Sequence, residues 1–169
     1  MQRLLCTIGF TGKTAEEFFA LLSNAGVQQV IDIRQNRSGQ LSGFSKHPDL
    51  SFFLKKVAGI EYMHESLLAP AQELLKTYRR SKDWAAYETD FLAAMKERHV
   101  PASVDTSSWP SKVALLCSEP GPEKCHRRLV AELLAAFWRE RGDTVDIRHL
   151  VSSHHKPAKP RRKSVGIAS

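Results

Sequence analysis

A chain of 169 residues, 42% apolar and 25% charged, has the size and composition of a single soluble globular domain. No run of it approaches the roughly 20 apolar residues of a membrane helix, and three cysteines are too few for a disulfide framework. The net charge of +7 favours acidic partners, nucleic acid or phosphorylated metabolites, over neutral ones. That charge is uneven: five Lys/Arg and no acid lie between His154 and Lys163, which leaves about +2 for everything else. Residues 1–150 therefore read as one α/β domain and 151–169 as a basic, disordered tail. The opening Met1–Ile8 has no signal-peptide pattern, so the expectation is a cytoplasmic protein with reduced thiols and no membrane partner.

Leu4–Ile8 is the first strand, ending at Gly9-Phe10-Thr11-Gly12. Thr14-Ala15-Glu16-Glu17 is a capping box, followed by Phe18, Leu21, Leu22 and Ala25 at helical spacing and closed by Gly26. Val27–Ile33 is the second strand and runs into Asp32-Ile33-Arg34-Gln35-Asn36-Arg37-Ser38. Asp32 within an apolar strand needs a partner. Arg34, two residues on, either supplies it or is aimed at a ligand as an anion clamp, with Arg37 beyond it. The Gly/Ser-rich stretch from Ser38 to His47 reads as a mobile flap. A short helix over Leu50–Ala58 precedes a third strand, Ile60–His64. His64 and Glu65 end that strand as further candidates, or as caps of the next helix.

Helices follow at Pro70–Arg80 and Asp83–His99, the second carrying Trp84, Tyr87, Phe91, Leu92 and Met95 as a core stripe. Val113–Cys117 is the fourth strand. It runs into the richest segment of the chain, Cys117-Ser118-Glu119-Pro120-Gly121-Pro122-Glu123-Lys124-Cys125-His126-Arg127-Arg128. With Gly121 as N-cap and Pro122 as first helical residue, the last helix runs to Gly142 and buries Val130, Leu133, Leu134 and Phe137. Thr144–Leu150 is the last strand.

Alternating strands and helices predict a mostly parallel five-stranded sheet covered on both faces. Right-handed crossovers suggest the order 3-2-1-4-5. Ligands of such sheets bind at strand C-termini where the winding reverses. Here that is Gly9 and Thr11 on one strand and Cys117-Ser118-Glu119 on the other.

Glu119 beside Cys117, together with burial, opposes thiolate formation, so Cys117 reads as structural and Glu119 as a general base, a metal ligand or a partner of Arg34. Cys125, placed in the first helical turn, is either a dipole-activated thiolate or a small core hydrophobe. His126 is a candidate acid/base, Arg127 a candidate anion ligand, and Arg128 a surface ion pair with Glu132. A phosphatase-type loop is excluded, because six residues after Cys117 stands Glu123 and six after Cys125 stands Ala131. Seven residues between Cys117 and Cys125 exclude a zinc knuckle; a metal held by Cys125, His126 and a distant group stays open, and none is assigned. No dinucleotide or phosphate-loop motif names a cofactor.

Thr7-Ile8-Gly9-Phe10, Asp32-Ile33-Arg34, Gly43-Phe44-Ser45, Tyr62-x-His64-x-x-Leu67 and Cys117-x-Glu119-x-x-Pro122-x-x-Cys125-His126-Arg127 together resemble the domain of unknown function 488 family over about residues 4–150. After Arg34 that family often has a proline and a serine; here the segment is Asn36-Arg37-Ser38. The resemblance implies a three-layer α/β fold and a site at Arg34, Glu119, Cys125, His126 and Arg127, but no reaction. Three functional readings stay open: a cleft that binds or acts on a phosphate-bearing ligand, nucleotide or nucleic acid; a thiol or redox enzyme using Cys125 with Cys117 as its resolving partner; and a non-catalytic adaptor.

Overall fold

A computed structural model describes residues 1–38 and 42–153. Residues 154–169 of the basic tail, and the centre of the segment expected to be a flap, lie outside the described residues. Five strands form one all-parallel sheet: β1 (Gln2–Gly9), β2 (Gln29–Asp32), β3 (Glu61–His64), β4 (Lys112–Cys117) and β5 (Thr144–Leu150). Five helices accompany them: α1 (Ala15–Asn24), α2 (Asp49–Phe53, continued by a π-helical Leu54–Ala58), α3 (Gln72–Ser81), α4 (Trp84–Glu97) and α5 (His126–Glu140). The α/β architecture read from the sequence is the one observed.

The strand order is β3-β2-β4-β1-β5, so the anticipated 3-2-1-4-5 is corrected by exchanging β1 and β4. Crossover handedness fixes the direction in which a parallel strand is added but not the stride, and the α1 connection steps over β4 to reach β2. In either order both strands are interior. Their nearly continuous apolar sequence is satisfied equally, with Val113–Leu116 and Leu5–Ile8 all buried.

Strand alternation sorts the two faces. Leu5, Ile31, Val113 and Leu115 meet α4 and α5 through Phe91, Met95, Leu129, Val130 and Leu134. On the opposite face Cys6, Ile8, Val30, Ala114 and Leu116 meet α1 and α2 through Phe18, Phe19, Leu22 and Leu50. Thr14 caps α1 through the Glu17 amide, and Asp83 caps α4 through the Ala86 amide. The core stripe on α4 holds for Tyr87, Phe91 and Met95, whereas Leu92 is exposed. On α5 the buried face is rotated toward Leu129, Ala131 and Trp138, with Leu133 and Phe137 only half-buried. The described part of the flap segment is docked. Gly43–Ser45 forms a 3-10 turn in which Ser45 is buried and Phe44 packs on Phe18 and Phe19. No helix among the described residues is long and apolar enough to cross a membrane.

Because α1 leaves β1 on one face and α5 leaves β4 on the other, the winding reverses between β1 and β4. The reversal falls at the strand ends Gly9 and Cys117, which are direct partners in the ladder.

Candidate functional site

The close approach of β1 and β4 depends on Gly9. A Cβ built there would lie 1.7 Å from the Glu119 carbonyl oxygen. The Thr11 amide donates to the Ser118 carbonyl at 3.1 Å and ties the two strand ends together. Pro120 and Pro122 remove amide donors from the turn that follows, leaving carbonyls for others to satisfy. Arg127, fully buried, does so: Nη1 donates to Glu119 O at 2.6 Å and Nη2 to Pro120 O at 3.4 Å. Its Nε reaches Thr7 Oγ1 at 3.4 Å. Lys13 Nζ, also buried, reaches Pro120 O from the other side. Gly9, Thr11 and Arg127 therefore build the turn that carries the site.

The turn delays the last helix. Gly121 and Pro122 do not open it; α5 begins at His126, with Cys125 as N-cap in extended conformation (φ −140°, ψ 135°) and no side-chain cap bond. The Cys125 thiol points inward and donates to Cys117 Sγ at 3.1 Å. Cys117 Sγ also lies 3.6 Å from His126 Nδ1. His126 Nε2 is 3.1 Å from the Ile33 carbonyl, which can only accept, so Nε2 carries a hydrogen and Nδ1 is the nitrogen that exchanges a proton with Cys117.

The electrostatics follow from this geometry. Burial alone would raise the Cys117 thiol. The hydrogen bond from Cys125, the charge and hydrogen bond of His126, and the Arg127 charge outweigh it and hold Cys117 well below the ordinary thiol range. Cys125 is driven well above that range by burial and by the anion it faces, although Arg127 Nη1 stands 3.4 Å from its sulfur. Burial would lower His126, but the Cys117 charge and hydrogen bond, with the Ile33 carbonyl, raise it. The shifts run in opposite directions for the two thiols, toward the anion on Cys117 and toward the neutral thiol on Cys125, with the proton favoured on His126. Glu119, at the mouth, is raised by partial withdrawal from water and by the Cys117 charge.

Their donor atoms lie within 4.8 Å of one another, the one group among the described residues placed to hold a metal ion. Two thiolates on one tetrahedral zinc would stand about 3.8 Å apart, given Zn–S bonds of about 2.3 Å. Sulfurs at 3.1 Å, with a guanidinium against one of them, suit a shared proton better than a cation.

Arg34 is drawn to the same site by Asp32. Its Nε and Nη2 bond the Asp32 carboxylate at 2.9 and 2.7 Å, and its amide adds a third bond at 3.1 Å. The Tyr62 hydroxyl donates to the same carboxylate at 2.8 Å; burial and that carboxylate push its pKa up to about 12. Arg34 is only 4% exposed and its ion pair is complete, so the pairing reading of Asp32–Arg34 holds. His64 lies 3.3 Å from the Arg34 carbonyl, and Glu65 caps the short turn Ser66–Leu68. Arg128 pairs with Glu132, as expected, and also with Glu88.

Above the thiols opens a cavity of about 290 Å³. Arg34, Cys117, Cys125 and His126 form its base, Tyr78, Trp84 and Tyr87 one wall, and Arg79, Lys82 and Lys124 its cationic rim. It adjoins a second basin of about 550 Å³ that shares Gln35, Asn36, Leu75 and Arg79 and adds Arg37, His47 and Lys76. Sequence reasoning brought Arg34, Glu119, Cys125 and His126 to one place. From the sequence, Glu119 and burial make Cys117 structural or the resolving partner of Cys125; the fold adds the His126 imidazole 3.6 Å from its sulfur. The rim from α3 was missed; the run Lys76, Arg79, Arg80, Lys82 was its one signal.

A family model for the domain of unknown function DUF488 matches residues 14–134. The chain belongs to the DUF488 family. The matched span holds Asp32, Arg34, Cys117, Glu119, Cys125, His126 and Arg127, while β1 with Gly9 and Thr11, and β5, lie outside it. No curated protein and no solved structure matches the chain.

Proposed function

We propose that this DUF488 protein binds a phosphate-bearing ligand, a nucleotide or nucleic acid, in the cavity above the thiols and acts on it with the Cys117 thiolate. The supporting observation is the Cys117–His126 pair at the cavity base, its tautomer set by the Ile33 carbonyl. The cationic rim of Arg79, Lys82 and Lys124 favours an anionic ligand. Cys117 attacks an electrophilic centre of the ligand; the S–X bond forms as the bond to the leaving group breaks, and His126 Nδ1 delivers its proton to the departing atom. Neutral His126 then accepts a proton from the water that hydrolyses the adduct, which restores both groups. Relative to the Cys125-nucleophile reading, the roles of the two thiols are exchanged: Cys125 is the donor that stabilises the anion.

The test is site-resolved alkylation by iodoacetamide from pH 5.5 to 9, read by peptide mass spectrometry, with inorganic pyrophosphate as protecting anion. The expectation is a Cys117 rate that plateaus below neutral pH, falls in His126→Ala and is slowed by pyrophosphate. The groups facing Cys117 are Cys125, His126, Arg127, Glu119 and Tyr87, and none but the His126–Cys117 pair should set that plateau. A Cys117 rate that rises only near the free-thiol value of about 8.5 refutes the reading.

A further inference from the structure

The nucleophilic reading uses Cys117 and His126 but leaves the second thiol with no step of its own. Cys125 Sγ lies 3.1 Å from Cys117 Sγ, a separation from which a small rotation closes an S–S bond of about 2.05 Å. Both cysteines are buried, 4% and 2% exposed, and line the cavity above them. A small molecule offering a single terminal atom fits this cavity. Arg127 Nη1 against Cys125, and His126 against Cys117, hold one positive group at each sulfur. Cys6, the remaining cysteine, is buried in the opposite layer among Ile8, Phe18 and Leu22 and belongs to no such pair.

We infer that Cys117 and Cys125 form a dithiol that reduces a small hydroperoxide entering the cavity, with Cys117 as the attacked-oxygen acceptor and Cys125 as the resolving thiol. This rests on the reading of Cys117 as the thiolate of the pair. Cys117 sulfur attacks the terminal oxygen of the hydroperoxide; an S–O bond forms, the O–O bond breaks, and the departing alkoxide takes the proton of His126 Nδ1 and leaves as alcohol. Cys125 sulfur then attacks the sulfenic sulfur of Cys117. The S–S bond forms, the S–O bond breaks, and the released hydroxide takes the Cys125 proton and leaves as water. Two thiols and one hydroperoxide become one disulfide, one alcohol and one water, and an external thiol reductant restores the pair. Resolution by a partner already in contact is what keeps a sulfenic acid from further oxidation.

The experiment treats the reduced full chain with one equivalent of hydrogen peroxide and reads intact mass, dimedone trapping and disulfide mapping. The expected result is loss of two of the three thiols, a mapped Cys117–Cys125 bond and no trapped sulfenic acid. Cys125→Ser should stop at a dimedone-trapped Cys117, Cys117→Ser should lose the peroxide-driven closure, and Cys6→Ser should behave as the parent. A bond involving Cys6, an intermolecular bond, or sulfinic acid at Cys117 with Cys125 present overturns the inference. So does equal or faster closure by oxidised glutathione, which would assign the pair to thiol exchange. The alkylation profile separates the two failures. A Cys117 reactive below neutral pH that peroxide does not close leaves the nucleophile reading standing. A Cys117 inert in both assays removes both readings.

Discussion

Removing the Asp32 carboxylate tests whether the Arg34 corner is held by a closed ion pair. Asp32 is fully buried and accepts four hydrogen bonds: three from Arg34, at 2.7, 2.9 and 3.1 Å, and one from the Tyr62 hydroxyl at 2.8 Å. Asp32→Ala leaves a guanidinium 4% exposed with no counter-charge. Breaking one side of a buried pair costs about 3–5 kcal/mol, because the surviving charge has lost both water and its partner. A domain of this size is stable by only about 5–15 kcal/mol, so the change should be large in a urea titration followed by circular dichroism. The double variant Asp32→Leu with Arg34→Met removes both charges and should recover a large part of that loss, since desolvation of the pair offsets most of its Coulomb gain, the remainder being the Tyr62 hydroxyl and Arg34 amide that lose their acceptor. A single-variant loss below about 1 kcal/mol with unchanged denaturant slope would refute the argument. So would a double variant no better than the single, which would show that side-chain shape rather than charge holds the corner.

Gly9→Ala should cost about 3 kcal/mol or more, or abolish folding, because the new methyl meets backbone at Glu119 rather than a side chain that can move; an unchanged melting temperature would contradict it. Arg127→Met should lower stability by about 2–4 kcal/mol through the Glu119 and Pro120 carbonyls it leaves unpaired. Hydrogen exchange should then speed up in the 118–125 turn before the rest of the domain, and uniform exchange would argue against a local anchor. Glu119 has a raised folded-state pKa, so the folded protein binds its proton more tightly than the unfolded chain. Its ionisation therefore lowers stability as pH rises from the ordinary carboxyl value through the raised one, and the loss persists above it. Glu119→Gln should be more stable than the parent at pH 7 and indistinguishable below the ordinary carboxyl pKa; a less stable variant at pH 7 would reverse the sign.

Local chemistry settled much of this protein in advance. The capping box at Thr14, the Asp83 cap, the apolar runs of β1 and β4 and the glycines after α1 and α5 each act within a few residues, so the elements and the α/β class are legible from the chain. The Asp32–Arg34 pair was legible for the same reason, since residues two apart in extended chain share a face. What the sequence could not carry was the stride of the first crossover, and the site depends on it. With β4 beside β2, Asp32 pairs with Leu116 and the Ile33 carbonyl comes within 3.1 Å of His126 Nε2. With β1 between them, the strands would stand roughly 10 Å apart and that contact could not form. The hydrogen on His126 Nε2, and so the orientation of Nδ1 toward Cys117, is set by a carbonyl 93 residues away in the chain. Helix caps and strand runs are short-range and written locally. Proton ownership among buried thiols is set by whatever groups the fold packs around them, and only the tertiary structure supplies those.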